Sequence, residues 1–130
     1  MRDPINPAHY AGRACADIGE RLSANGYQIL KYVWRLGKKD AAPVELGKAH
    51  WYAESEIKLL QMLDRTFPGM RTQSLTHDLA EPDKFLRDRI EGQPMLTREI
   101  AFHLWAGYDA RGAKQIADMI DAERLRHAGS

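Results

Sequence analysis

Between Tyr27 and Lys39 the chain carries four basic residues, Lys31, Arg35, Lys38 and Lys39, and no acidic one. On a helical wheel at about 100° per residue, Lys31, Arg35 and Lys38 fall within about 60° of one another. Tyr27 and Trp34 flank them, and Lys39 follows directly. Seven residues of helix span about 10 Å, comparable with a di- or triphosphate chain. A guanidinium can grip phosphate oxygens through two parallel hydrogen bonds, while an ammonium acts as a point charge. The rings of Tyr27 and Trp34 offer flat faces for a base or for the arginine itself. The pattern therefore suits binding of a nucleotide or another phosphorylated small molecule. Its competitor is a solvated basic face, with cations well placed at a helix C-terminus.

Other constellations carry less. There is no GxxxxGK[ST] loop and no GxGxxG following a strand, which removes the common mononucleotide folds. The five histidines, at 9, 50, 77, 103 and 127, lack the i, i+4 pairing of a helical zinc site. Asp17 with Glu20, and Asp118 with Asp121, each place two carboxylates on one helical face, and the two pairs brought together could hold Mg²⁺. No metal ligands are assigned from spacing. Cys15, the single cysteine, excludes an internal disulfide and fits a reducing compartment. The last helix mixes acids with bases and would read a DNA groove poorly.

The elements that position these residues are helical throughout. Pro4 and Pro7 predict an extended arm over the first ten residues. Helical patterns then run from Ala14 to Leu22 and from about Tyr27 to Leu36, with Gly37 as a left-handed stop. A long helix follows Pro43 to about Arg65. Residues 66–82 form a connection, and helices resume over 83–91, 97–106 and 110–126, with Gly107 as stop and Asp109 as N-cap. The long helix has one apolar stripe of Leu46, Ala49, Ala53, Ile57, Leu60 and Leu63, inside which His50 sits as a partly buried, hydrogen-bonded histidine. Trp51, Leu59 and Met62 make a second apolar side, either sandwiched within the domain or offered to another subunit. Lys48 and Tyr52 lean toward a third face with Glu45 and Glu56. The expected fold is all-α, a compact bundle of about five to six helices with an extended N-terminal arm.

Composition agrees. The 130 residues suffice for one domain, and 44% hydrophobic with 28% charged is a globular balance. Nineteen Lys plus Arg against 18 Asp plus Glu leave +1, which argues against a protein that coats nucleic acid along its length. No apolar run approaches the ~20 residues of a membrane span, and the start does not resemble a signal peptide. The expectation is a soluble, cytoplasmic chain.

Three blocks of this sequence carry a resemblance. Pro7, His9 and Tyr10 match P-x-H-Y. Ile29 or Leu30, Lys31, Tyr32, Arg35, Gly37, Lys38 and Lys39 match I-x-K-Y-x-x-R-x-G-K-K, and Leu46, Lys48, Ala49 and Tyr52 match D-L-x-K-A-x-x-Y. In these blocks the chain resembles a bacteriophage domain-of-unknown-function family that includes the T-odd coliphage nucleotide kinase. The resemblance covers residues 4 to about 57. Tyr27-Gln28 stands where the family commonly has Gly-Asn, and Glu45 replaces the usual Asp.

The resemblance implies phage origin, action in the cytoplasm of an infected bacterial host, and a role around nucleotides. Three functions follow as expectations. The first is phosphoryl transfer to a nucleoside monophosphate, with Lys31, Arg35, Lys38 and Lys39 neutralising the migrating group, Lys48, Tyr52, Tyr27 and Trp34 completing the ligand site, and Mg²⁺ as companion. His9 or Tyr10 would then orient or deprotonate the acceptor. The second is a non-catalytic protein that sequesters a nucleotide against host defence signalling. The third is a protein–protein adaptor using the Trp51/Met62 side. A homo-oligomer is compatible with each.

Overall fold

The computed structural model describes residues 7–38 and 40–128, with side chains from residue 12 onward. Among the described residues there are six helices: α1 Pro7–Gly19, α2 Ala24–Trp34, α3 Ala42–Thr66, α4 Pro82–Ile90, α5 Met95–Ala106 and α6 Ala110–Ala128. The all-α expectation holds. The N-terminal boundary needs correction, because α1 starts at Pro7 rather than Ala14. A proline in the first helical turn is compatible with a helix, since its missing N–H would have had no intrahelical acceptor there. Residues 1–6, the rest of the expected extended arm, lie outside the described residues, as does Lys39.

Local chemistry sets most of the other ends. Ser23 caps α2, its Oγ accepting from the Gly26 N–H at 3.0 Å. α2 therefore starts at Ala24 rather than Tyr27, with Asn25 and Gly26 inside its first turn. The helix ends at Trp34, and Gly37 takes φ +74° in the turn beyond it, so Lys38 projects from that turn and not from the helix. Pro43 starts α3 as expected. The Asp109 carboxylate accepts from the Gly112 N–H at 2.9 Å and caps α6, a bond that also holds Asp109 below its ordinary pKa. Gly107 is required on two counts: its φ is +85°, and a Cβ would meet the Thr72 carbonyl oxygen at 2.5 Å.

One core runs through both halves of the chain. Ile18, Leu30, Leu46, Leu86, Ile100, Leu104, Ile116 and Ile120 are all fully buried and belong to a single cluster. α3 packs on α2 and α6, α2 also on α5, and α1 on α2 and α4. The connection between α3 and α4 is pinned by specific bonds. The Thr72 N–H donates to the Tyr108 carbonyl and the Leu75 N–H to the Arg21 carbonyl, each at 2.8 Å, while Ser74 Oγ donates to the Trp105 carbonyl at 2.7 Å. No helix among the described residues is long and apolar enough to cross a membrane.

Candidate anion-binding site

Two glutamates eleven residues apart on α3, close to three full turns, are completely buried: Glu45 and Glu56. They hold opposite ends of α2, which therefore runs antiparallel to α3. At the N-terminal end Glu56 accepts from Ser23 Oγ at 2.6 Å, from Asn25 Nδ2 at 3.2 Å and from the Tyr108 hydroxyl at 2.6 Å. Burial and this carboxylate push the Tyr108 hydroxyl pKa well up. At the C-terminal end Arg35 Nε donates to Glu45 Oε2 at 2.6 Å. An anion at the N-terminus of α2 and a cation at its C-cap both complement the helix dipole.

The Arg35–Glu45 pair is one wall of a larger assembly. Lys48 Nζ lies 3.7 Å from Glu45 Oε1 and 3.5 Å from Asp40 Oδ2. Glu45 Oε1 is buried with no hydrogen-bond partner, so Lys48 compensates it through charge rather than contact. The ring at the centre is Tyr32. Lys31 Nζ, the Arg35 guanidinium and Lys48 Nζ lie 5.0, 5.1 and 5.5 Å from its centroid, within cation–π range. Tyr52 stacks on Tyr32 at 5.9 Å and 14°, and Trp51 meets Tyr52 edge-on at 5.0 Å and 86°.

The structure thus gathers Lys31, Arg35, Lys48 and Tyr52 on one surface, with Lys38 exposed in the turn beyond α2. It does not bring the two expected base-stacking rings there. Trp34 is only 5% exposed and joins the core, because α2 is covered by α3 on one side and α5 on another. The Tyr27 ring lies on the backbone of Gly19, where a Cβ would come within 2.3 Å of it. Burial raises the Tyr27 hydroxyl pKa accordingly. The Tyr27 ring therefore fills space between α1 and α2. The side chains of His9 and Tyr10, like Lys39, lie outside the described residues.

The paired carboxylates on α1 and α6 do not meet. Asp17 is engaged by Arg13 and Arg89, Asp118 by Lys114, and Asp121 by Arg124 and His50. Among the described residues no three His, Cys, Asp or Glu side chains cluster as metal ligands. His50 is partly buried between Glu54 and Asp121, as its place in the apolar stripe led us to expect. Burial pushes the Cys15 thiol up to about 12, so it is not a nucleophile at neutral pH.

Sequence reading missed the central ring, Tyr32, and the burial of Glu45 and Glu56. A signal existed for the glutamates: on the wheel both fall at the edge of the arc holding Ala49, Ala53 and Leu60. A cavity of about 610 Å³ lies between α4 and α5 and is lined by Arg87, Met95, Arg98 and Phe102 among others, away from the Tyr32 cations. A smaller one of about 260 Å³ reaches Trp34 and Lys38. Neither includes Tyr32, Tyr52 or Lys48.

The chain matches no family model, no curated protein and no solved structure. Function has to be argued from these side chains.

Proposed function

We propose that this surface binds a nucleotide or another phosphorylated small molecule. One observation carries the reading: three cations converge on the Tyr32 ring, while among the described residues only Glu45 and Asp40 pair with them. Lys31 and Lys38 have no acidic partner among the described residues. Arg35 gives its Nε to Glu45, and its two terminal nitrogens make no hydrogen bond among the described residues. Glu45 in effect orients Arg35 with its fork left for an anion, the bidentate geometry a phosphate accepts. The resemblance over residues 4 to about 57 supports the same reading and adds phage origin and a cytoplasmic site of action.

Phosphoryl transfer to a nucleoside monophosphate is the activity that resemblance implies. Lys31, Arg35 and Lys48 would neutralise the transferring group, Lys38 and Lys39 would flank it, and His9 or Tyr10 would serve the acceptor. Mg²⁺ would enter with the phosphates. Holding a nucleotide without turnover is the second reading. It is favoured by the commitment of both local carboxylates, Glu45 to Arg35 and Asp40 to Lys48, which leaves neither to take a metal.

The test is a thermal-shift titration with nucleoside mono-, di- and triphosphates and cyclic nucleotides, with and without Mg²⁺. A ligand at 100 times its Kd should stabilise by about 2.7 kcal/mol. Lys31→Ala with Lys38→Ala should weaken binding at least about tenfold, and added salt should weaken the wild type, since exposed charges are screened. Unaltered binding by the double variant would overturn the site. A monophosphate and triphosphate pair that turns over identifies the kinase, and binding without turnover identifies the sequestering protein.

A further inference from the structure

We infer that Trp51 is the platform on which the base of a nucleoside polyphosphate stacks, with the phosphates running from Lys48 across Tyr32 to Lys31. This rests on the phosphate-binding reading above and extends it to the organic part of the ligand. Trp34 lies in the core and the Tyr27 ring packs on Gly19, so neither α2 ring expected to take a base is as exposed as Trp51. Tyr32 is occupied by Tyr52 and three cations. Trp51 is different. It is 62% exposed, and its ring stands nearly perpendicular to the Tyr32–Tyr52 pair.

The position is also preorganised. Trp51 sits mid-way along α3, whose opposite face is anchored by Leu46, Ala49, Ala53 and Leu60. The edge contact with Tyr52 leaves the indole face uncovered. Lys48 lies one helical turn before Trp51. Ring-to-ring steps of 5.0 and 5.9 Å, then ring-to-cation distances of 5.0–5.5 Å, connect the indole to the three charges. A flat π-face at one end and a line of cations at the other match a ligand with a base at one end and several phosphates at the other. Stacking tolerates any base, so the contribution of Trp51 is affinity for nucleotides over bare polyphosphate, without a strong preference among bases.

Fluorescence tests this directly, because the other two tryptophans, Trp34 and Trp105, are 5% and 7% exposed and Trp51 dominates any quenching by solutes. The probes are ATP, the four deoxynucleoside triphosphates, and inorganic tripolyphosphate as the base-free control. Nucleotides should quench Trp51 emission and tripolyphosphate should bind without quenching it. Trp51→Ala should weaken nucleotide binding roughly tenfold, leave tripolyphosphate binding unchanged, and be largely rescued by Trp51→Phe. If nucleotides and tripolyphosphate bind the wild type equally and Trp51→Ala changes neither, the platform is wrong and the phosphate site stands. If no probe binds, the proposed function fails and takes this inference with it. If acrylamide quenching of Trp51 falls with protein concentration and no ligand present, a second copy covers the indole through the adjoining Val44, Leu59 and Met62, and the platform is again wrong.

Discussion

Arg35 and Lys31 stand four residues apart on the same helix and both approach Tyr32, yet they answer different physical demands. Arg35 compensates a carboxylate with no solvent access, whereas Lys31 has no acidic partner among the described residues. Removing one member of a buried pair leaves the other charge stranded, a loss of several kcal/mol that partial exposure of the arginine reduces. Arg35→Ala should therefore destabilise the fold by about 2–3 kcal/mol in urea unfolding, and Lys31→Ala by less than about 0.5 kcal/mol. Equal stabilities for the two variants would show that Glu45 does not depend on Arg35. The same difference makes Lys31 and Lys38, rather than Arg35, the residues whose substitution reports binding without disturbing the scaffold.

At the level of elements, α2 is held at both ends by α3, and the long connection before α4 is held by the turn after α1. Arg21 makes a two-armed contact with Asp78, at 2.6 and 2.9 Å, and a further bond to the Leu75 carbonyl at 2.8 Å. The Arg21 hydrogen bond holds the Asp78 carboxyl at about 2, below its ordinary 3.8. A carboxylate depressed in the folded state stabilises it above the unfolded value, and that contribution is lost as pH falls through the folded one. Stability should thus decline between pH 3.8 and about 2 partly through this pair. Asp78→Asn should flatten that part of the acid limb in pH-dependent thermal unfolding, by a small amount because the pair is solvent-screened. An unchanged acid limb would mean the bridge does not form in solution. The bounds of α3 to α6 were legible to within about two residues from Pro43, Gly107, Asp109 and the apolar periodicity, because these signals act within one or two turns. The start of α1 was not. Prolines in the first turn and prolines in an extended arm look alike until something shows which backbone the chain takes.

For the whole molecule, a division at residue 66 does not correspond to two folding units. α3 presents Leu46, Ala49, Ala53 and Leu60 to a core completed by Ile116, Ala117 and Ile120 of α6, and Glu56 accepts a hydrogen bond from the Tyr108 hydroxyl of the α5–α6 turn. A fragment of residues 1–66 should retain helical signal in far-ultraviolet circular dichroism but lack a cooperative thermal transition. The full chain should unfold in one step. Cooperative unfolding of the fragment would show that the second half is dispensable for the fold. The N-terminal half therefore holds the cations, while the C-terminal half supplies the packing that keeps α3 in place beneath them.

The sequence by itself determined an all-α fold of about five to six helices, the bounds of α3 to α6, and the presence of a basic stripe on α2, since all of these depend on residues within a few positions of one another. It left open which tryptophan faces inward. A wheel marks Trp34 as flanking the basic stripe and Trp51 as lying on a second apolar side, but it carries no information about which sides neighbouring helices will cover. Tertiary packing decided that Trp34 enters the core while Trp51 stays 62% exposed. Packing also decided that Glu45 and Glu56 turn inward to hold the two ends of α2. Burying a carboxylate is tolerable only where donors from distant segments converge on it, and those donors meet only after the chain has folded.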